Sequence, residues 1–408
     1  MFLPSWLTED YIQKALQEFH KDDQLRVQKV CAKPATGKGE NFVGVMTRIY
    51  VDFQHGDGTK QKQSYILKQA VSSDAPQAKI FAEYDVYNRE LDMYDIVLPK
   101  MSKILQEAAF NDKLMAEAIV VDRERTVMIL EDLAPLRYTN ADRVKQLDMA
   151  HTKLVLDMMA KFHAAAIILN QREPDLLSRN YSSHFFSRDK KGYGQVFVGL
   201  FKAFIRYVKT KPNLKNRYAN KLDNIVTNLM EYAAKSVDVG EKDLQTLVHG
   251  DCWTTNVMYL YDDEGNPTTV LPIDFQFSTW TSPAVDLHYF FSTSLKSDVK
   301  AEELELVQYH YYALKSTLEA LSYKGSFPSL VEYQLQFEKR RFLSLIIANV
   351  FQPIMVYQGN EDCDFINFYR ETAEAIKFQD SMYENEEIQR RIDTILPILD
   401  AKGFLEAH

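Results

Sequence analysis

The spacing of apolar residues changes near residue 133. Before it, short β-rich runs alternate with turn residues, whereas beyond it apolar side chains recur every three or four positions. An opening helix is predicted over residues 8–20, because Thr8 can cap it and Ile12 and Leu16 keep helical spacing. The pattern therefore indicates two domains, 1–133 and 134–408.

The first domain is predicted to be a small β-rich lobe with one embedded helix. Strands are predicted over 41–53 and 63–70, joined by a hairpin turn at Asp57-Gly58, and over 116–124 and 125–133. The helix is predicted over about 76–97. It is expected to stop before Pro99, since proline disfavours the helical conformation of the residue that precedes it.

The second domain is predicted to be mainly helical. Helical patterns occupy residues 147–169, 190–236, 300–322, 329–357 and 362–398. One β segment interrupts them, LVHGDCWTTNVMYLYDDEGNPTTVLPIDF, in which the polar run 262–266 separates two apolar runs and predicts a hairpin. A β-rich half followed by a helical half indicates an α+β fold.

Three polar residues lie at the open ends of that hairpin. Asp251 and Asn256 precede its first strand, and Asp274 follows its second. Because a hairpin brings its open ends together, these side chains are expected to converge. Carboxylate and amide oxygens are the ligands that Mg²⁺ prefers, and phosphoryl transfer needs such ligands together with an aspartate that receives a proton.

Each part of this pattern is weak when it stands alone. An HxD triplet is common, and a polar turn between two strands needs no function. The combination of HGDxxxxN, a hairpin and IDF in this order favours a phosphotransferase. A zinc hydrolase is disfavoured, because no second histidine lies at ligand spacing from His249.

A cation for the phosphates is predicted in the first domain. In SYILKQA, Lys68 shares a strand face with Ile66, which is unusual for a lysine without a partner, although a solvent-facing lysine is the commoner case. Glu83 and Glu90, seven residues apart on the following helix, are both candidates for that partner. The glycines of residues 37–44 precede a strand, and either a phosphate-covering loop or a plain turn explains them.

The overall composition excludes several classes of protein. A net charge of −9 argues against general nucleic-acid binding, which needs a basic surface. Three separated cysteines without a CxxC pair exclude a disulfide framework and suit a reducing compartment. The N-terminus lacks the features of a signal peptide, and no apolar run is long enough to span a bilayer. We therefore expect a cytoplasmic protein without membrane insertion.

Together these motifs resemble the ecdysteroid kinase-like family of arthropods, also described as CHK-type kinases. The family is related to choline kinases and aminoglycoside phosphotransferases. The resemblance is carried by GKGENFVGVMTRIYV, SYILKQA, ELDMYDIVLPKM, ILEDL, MMAKFHAAAIIL and VHGDCWTTN…PIDFQFSTWTSPAVDLHYFFSTS, within residues 37–294. It implies a protein-kinase-like two-lobed fold, with a five-stranded type of sheet in the small N-lobe and a large, mainly helical C-lobe.

The resemblance also implies roles for individual residues. Asp251 would be the catalytic base, with His249 shaping its loop, and Asp286 would brace that loop by accepting its backbone N–H groups. The remaining roles concern the cofactors ATP and Mg²⁺. Asn256 and Asp274 would ligate Mg²⁺. Lys68 would bind the ATP phosphates, with Glu90 as its favoured partner, and Asn41 would lie in the phosphate-covering loop. Glu131 and Leu133 would flank the adenine at the hinge.

Two departures from the usual patterns are visible. The metal-binding triplet is Asp274-Phe275-Gln276 where protein kinases have Asp-Phe-Gly, so a flipping triplet is not expected, although the family itself has glutamine there. Gly44 stands where the family often has a small hydroxyl residue, which weakens the expected phosphate contacts of that loop.

The acceptor is expected to be a small, largely apolar alcohol, such as an ecdysteroid or a xenobiotic alcohol or phenol. Trp253, Trp280 and the aromatic-rich stretches 192–207 and 342–357 are candidate pocket walls, although core packing is the ordinary role of such residues. A choline- or aminoglycoside-like kinase with a cationic acceptor is the alternative enzyme. A nucleotide-binding pseudokinase is the alternative from another class, disfavoured because Lys68, Asp251, Asn256 and Asp274 are all present.

Overall fold

The computed structural model describes residues 4–35, 43–359 and 364–406. The chain divides into two compact units. One comprises Met1–Pro99 and Lys113–Thr139, and the other comprises Lys100–Asp112 and Asn140–His408. Within the described ranges, no helix is long and apolar enough to cross a membrane.

The first unit is built on a five-stranded antiparallel sheet. Its strands are β1 (Arg26–Pro34), β2 (Gly44–Gln54), β3 (Lys60–Ala70), β4 (Ala118–Asp122) and β5 (Val127–Glu131), in the order β1-β2-β3-β5-β4. Strands β2 and β3 form the predicted hairpin, whose turn contains Gly58 with φ +90°. The sequence did not single out β1, which pairs with β2 along nearly its whole length.

Helix α1 (Glu9–His20) begins as the sequence predicts. The backbone N–H of Tyr11 donates to the Thr8 hydroxyl at 3.1 Å, which caps the first turn. The buried face of this helix packs with apolar residues of the sheet into one core. Burying such side chains contributes about 1.5–3 kcal/mol each.

The helix expected to stop before Pro99 continues past it, so that prediction is wrong. Helices α2 (Ala78–Glu83) and α3 (Val86–Asp92) lead into a π-helical turn at Met93–Val97, and α4 follows as Leu98–Glu107. Proline has no N–H, and its ring clashes with the carbonyl four residues earlier in a regular helix. Because the π turn changes the hydrogen-bond register just before Pro99, the chain passes the proline and stays helical.

The second unit is mainly helical. Its helices are α5 (Met149–Arg172), α6 (Leu176–Asn180), α7 (Gly192–Thr210), α8 (Pro212–Val226), α9 (Leu229–Val237), α10 (Ala284–Thr293), α11 (Ser297–Ala301), α12 (Glu303–Ala320), α13 (Leu330–Lys339), α14 (Phe342–Ile346), α15 (Gln352–Met355), α16 (Ala373–Ser381) and α17 (Glu386–Ala401), with a π turn at Ile347–Phe351 and a 3₁₀ turn at Phe365–Phe368. Each long helical pattern of the sequence corresponds to one or more of them. The α+β class is confirmed.

Two short antiparallel ladders carry the remaining strands of this unit. The predicted hairpin is present as β7 (Val257–Tyr261) paired with β8 (Pro267–Pro272). The second ladder pairs β6 (Thr246–Val248) with β9 (Thr279–Thr281), and it was not predicted. The segments that follow β6 and β8 contain the residues singled out for chemistry.

Candidate active site

The loop of residues 249–256, which we call the catalytic loop, begins directly after β6. Gly250 has φ +82°, a conformation that side-chain-bearing residues rarely adopt. A Cβ atom there would lie 2.1 Å from the carbonyl oxygen of Phe277. The loop therefore requires glycine at this position, both for its backbone conformation and for the close approach of the neighbouring chain.

Asp286, near the start of α10, holds the backbone of the catalytic loop. Its carboxylate accepts hydrogen bonds from the N–H of His249 at 2.8 Å and from the N–H of Gly250 at 2.9 Å. Asp286 is fully buried, and burial alone would raise its pKa. The hydrogen bond and charge interaction with His163 outweigh that effect and lower the pKa, which keeps Asp286 ionised as the acceptor.

A chain of buried hydrogen bonds extends from Asp286 through three helices. The Nε2 of His163 on α5 lies 2.9 Å from the carboxylate of Asp286, and the Nδ1 of His163 lies 3.2 Å from the Nε2 of His310 on α12. The Nδ1 of His310 is hydrogen-bonded in turn to the hydroxyl of Tyr333 on α13 at 2.8 Å. Burial lowers the pKa of His310, so its ring is neutral and each ring nitrogen has one role.

His249 connects the catalytic loop to the end of β8. Its Nε2 donates to the carbonyl oxygen of Ile273 at 2.9 Å, and its Nδ1 accepts from the N–H of Asp251 at 3.3 Å. Burial lowers the pKa of His249, so the ring is neutral, in agreement with one donating and one accepting nitrogen. Both ring nitrogens are therefore engaged with backbone groups of the site.

Asp251 and Asn256 are in direct contact. The Nδ2 of Asn256 donates to the carboxylate Oδ2 of Asp251 at 3.0 Å and to the Asp251 carbonyl oxygen at 2.8 Å. The other carboxylate oxygen of Asp251, Oδ1, accepts a short hydrogen bond from the hydroxyl of Tyr289 on α10. The orientation of the Asp251 carboxylate is thus fixed from two directions.

Asp274 lies next to this pair through the chain. The N–H of Ile273, the residue before it, donates to the carbonyl oxygen of Asn256 at 2.9 Å, which extends the β7–β8 pairing toward Asp274. Asp274 is half-buried and has φ +69°, which turns the chain sharply after β8. The hairpin therefore places Asn256 and Asp274 at its open end.

The chemistry of these donors suits Mg²⁺. The amide nitrogen of Asn256 is engaged with Asp251, so Asn256 would ligate through its side-chain oxygen, and Asp274 supplies a carboxylate. Across the described ranges, no group of three or more His, Cys, Asp or Glu residues is arranged to hold a metal ion. A magnesium ion here would complete its shell with phosphate and water oxygens, as is usual for Mg²⁺ at a nucleotide site.

In the first unit, Lys68 pairs with Glu90. The Nζ of Lys68 on β3 lies 2.8 Å from both carboxylate oxygens of Glu90 on α3, and both residues are buried, at 7% and 2% exposure. Glu83, the other candidate, is exposed. A buried lysine on the third strand paired with a helical glutamate is the arrangement that positions ATP phosphates in protein kinases.

The residues proposed to flank adenine follow β5 or end it. The carboxylate of Glu131 accepts from Lys113, and the carbonyl oxygen of Leu133 accepts from the N–H of Leu136 at 3.1 Å and closes a turn. Asp132, which the sequence did not single out, is buried and accepts from Arg48 at 2.7 Å. Asn41 and its neighbours at 36–42 lie outside the described residues.

A model of the Ecdysteroid kinase-like family matches residues 38–323, well over half of the chain. The chain belongs to the ecdysteroid kinase-like family. As a member it is a kinase-like phosphotransferase for small molecules, and the protein-kinase-like fold class is confirmed.

Solved structures resembling this family member include three phosphotransferases. The streptomycin–ATP ternary complex of APH(2'')-IIa is 14% identical, with a TM-score of 0.38 over 87% of this chain and 96% of that one. The apoenzyme of the macrolide 2'-phosphotransferase MphH from Brachybacterium faecium is 12% identical, with a TM-score of 0.34 over 85% and 95%. ADP-bound APH(2'')-Ib is 13% identical, with a TM-score of 0.31 over 84% and 99%. A search of curated proteins found no match.

The two tryptophans suggested as pocket walls of this kinase-like protein lie in different structural elements. Trp253 lies in the catalytic loop and is half-buried. Trp280 lies on β9, where its Nε1 donates to the side chain of Gln245 at 3.1 Å. A contact between either ring and the acceptor stays a prediction.

Aromatic side chains from both stretches named as pocket walls meet in one cluster, which we call the aromatic cluster. Its members are Phe185, Tyr193, Phe197, Phe277 and Phe351. The rings of Phe197 and Phe351 are 5.3 Å apart, which joins residues 192–207 to residues 342–357. The ring of Tyr289 lies 5.6 Å from that of Phe351, so the cluster reaches the residue that contacts Asp251.

Tyr289 and His163 are two site residues to which sequence reasoning assigned no role. Tyr289 follows Asp286 by three positions on α10, so the two share a helix face. That spacing in VDLHYF is the signal that could have identified Tyr289. His163 contacts Asp286 from 123 positions away, and no local pattern predicts that pairing.

Proposed function

We propose that the protein is an ATP-dependent kinase that transfers the γ-phosphoryl group to a hydroxyl of a small, apolar molecule. The observation that carries this proposal is the fixed carboxylate of Asp251, held by Asn256 and Tyr289 in a loop whose backbone Asp286 binds. Phosphoryl transfer requires mainly such positioning and charge, with little covalent chemistry from the protein.

Asp251 receives the proton of the acceptor hydroxyl in this mechanism. The hydroxyl oxygen attacks the γ-phosphorus, the bond from that phosphorus to the bridging oxygen breaks, and ADP leaves with the bonding electron pair. Asn256 and Asp274 would hold Mg²⁺, which would neutralise part of the phosphate charge. Lys68, oriented by Glu90, binds the phosphates through its ammonium group.

The aromatic cluster supports an apolar acceptor. Its rings pack against each other, and the ring of Tyr289, whose hydroxyl contacts Asp251, lies 5.6 Å from that of Phe351, so aromatic surface lies close to the base. A steroid, an aliphatic alcohol or a phenol can bury its surface against such rings. Because aromatic faces also bind ammonium cations, the acceptor panel that tests this proposal includes amino alcohols.

ADP release with Mg-ATP across a panel of steroid alcohols, phenols and amino alcohols tests this proposal. Turnover is expected with apolar alcohols or phenols, and Asp251→Asn is expected to reduce it by about 10²-fold or more, since it removes a positioned base. Asp262→Asn, an exposed aspartate in the turn of the same hairpin, is the matched control. A preference for amino alcohols would overturn the acceptor class. Tight ATP binding without turnover would indicate a pseudokinase.

A further inference from the structure

The hydroxyl of Tyr289 contacts the carboxylate that the proposed mechanism uses as its base. Tyr289 is buried at 4% exposure, and its hydroxyl donates to Oδ1 of Asp251. Burial, together with the nearby charge of Asp251, raises its pKa well above the ordinary value, so the phenol stays protonated and remains a hydrogen-bond donor.

Helix α10 holds both the backbone and the side chain of the catalytic loop from one face. Asp286 binds the N–H groups of His249 and Gly250, and Tyr289, one turn later, binds the carboxylate of Asp251. Asn256 holds the opposite oxygen of that carboxylate, Oδ2. A carboxylate with a donor on each oxygen cannot rotate about its terminal bond without losing one of these hydrogen bonds.

The Tyr289 ring is itself fixed by packing. It lies 5.6 Å from the ring of Phe351, which belongs to the aromatic cluster. Swinging the hydroxyl away from Asp251 would disrupt this packing inside the fold, so the phenol is held where it is. A donor that is already in place costs no reorganisation when the base acts.

We infer that Tyr289 is a positioning residue for phosphoryl transfer, which orients the Asp251 carboxylate toward the acceptor hydroxyl through its own hydroxyl group. This inference rests on the proposed function, in which Asp251 is the base. Tyr289 does not itself exchange a proton with the acceptor. Because its hydroxyl contacts the base, its effect is expected in the chemical step.

Tyr289→Phe tests the inference, because it removes one oxygen atom and keeps the ring against Phe351. A hydrogen bond to a charged group of this kind corresponds to about a 10- to 100-fold change in rate. We therefore expect kcat to fall by that factor while KM for ATP stays within about twofold. Tyr311→Phe is the matched control: Tyr311 is a buried tyrosine on α12 whose hydroxyl donates to the carbonyl of Pro328 at 3.0 Å. It is expected to leave kcat unchanged.

A double-mutant cycle separates positioning from a general effect on folding. In an Asp251→Ala background the Tyr289 hydroxyl has no carboxylate to orient, so adding Tyr289→Phe should cost little further in single-turnover rate. Fully additive losses would overturn the inference. So would a lower KM for the acceptor with unchanged kcat, because it would show that the phenol competes with the acceptor for Asp251.

The single variants Asp251→Asn and Tyr289→Phe also distinguish this inference from the proposed function. If Asp251→Asn abolishes turnover while Tyr289→Phe leaves it unchanged, only the positioning role fails. If Asp251→Asn has no effect, the proposed mechanism itself fails.

Discussion

Gly250→Ala should impair both stability and turnover, because the substitution causes backbone strain and also a steric clash. Placing a side-chain-bearing residue at φ +82° costs about 1–2 kcal/mol. The added Cβ would also lie 2.1 Å from the carbonyl oxygen of Phe277 and 2.8 Å from its carbonyl carbon. Relieving the contact requires a backbone shift of about 1 Å, and overpacking of this kind costs about 1–3 kcal/mol.

Together these effects predict a loss of about 2–5 kcal/mol in the free energy of unfolding. Phe277 cannot move freely, because its ring stacks on Phe185 at 4.1 Å and the next residue, Ser278, donates to the carbonyl of His249. The shift is therefore expected to fall on the catalytic loop. A misplacement of about 1 Å at a reacting group reduces kcat by about 10²-fold.

Gly265→Ala provides the matched control for this experiment. Gly265 has φ +85°, but a Cβ there has no heavy atom within 4 Å. It should show only the conformational cost of about 1–2 kcal/mol, with kcat unchanged. Urea unfolding and steady-state kinetics of both variants measure the difference. Equal stability losses and equal kcat values in the two variants would refute the steric argument.

Three further predictions concern charge and metal. Lys68→Met should lower kcat/KM for ATP by at least about tenfold. Glu90→Gln keeps the shape of the side chain and should lower kcat/KM for ATP less. ATP titrations in steady-state assays measure both effects. Although burial opposes the effect, Lys300 and Arg341 hold the pKa of Glu303 at about 2, below its usual 4.5. Its charge thus stabilises the fold above pH 4.5, by about 3 kcal/mol, and that contribution is lost as the pH falls toward 2. Glu303→Gln should therefore be less stable than the unchanged protein at pH 7, with the difference in urea unfolding shrinking over that range. EDTA should abolish ADP release, and added Mg²⁺ should restore it.

The parts of the site that lie close together in sequence were predictable. The hairpin at 257–272 follows from a polar turn between two apolar runs, and its closure places Asn256 near Asp274. Lys68 stood out because a lysine shares a strand face with isoleucine. Its pairing with Glu90 rather than Glu83 depended on the resemblance, because the two glutamates share one helical face in sequence.

The remaining features depend on tertiary structure. The strands β6 and β9 have three residues each, too short for alternation to show, and they pair only because the chain returns beside the catalytic loop. The continuation of the helix past Pro99 depends on a π turn, which leaves no signature in apolar spacing. The contact of Tyr289 with Asp251 joins positions 38 apart. Such contacts follow from the packing of α10, which no local propensity encodes.

His310 lies in the middle of the chain of hydrogen bonds from Tyr333 to Asp286. Because its ring is neutral, one ring nitrogen donates and the other accepts, so position 310 needs a side chain that does both at once. Glutamine or asparagine can meet this requirement, whereas leucine of similar size would leave a donor and an acceptor buried without partners. Any redesign of the interior between α5, α12 and α13 must therefore change His163, His310 and Tyr333 together. Matching the hydrogen-bond donors and acceptors of the new side chains matters more than keeping their volumes.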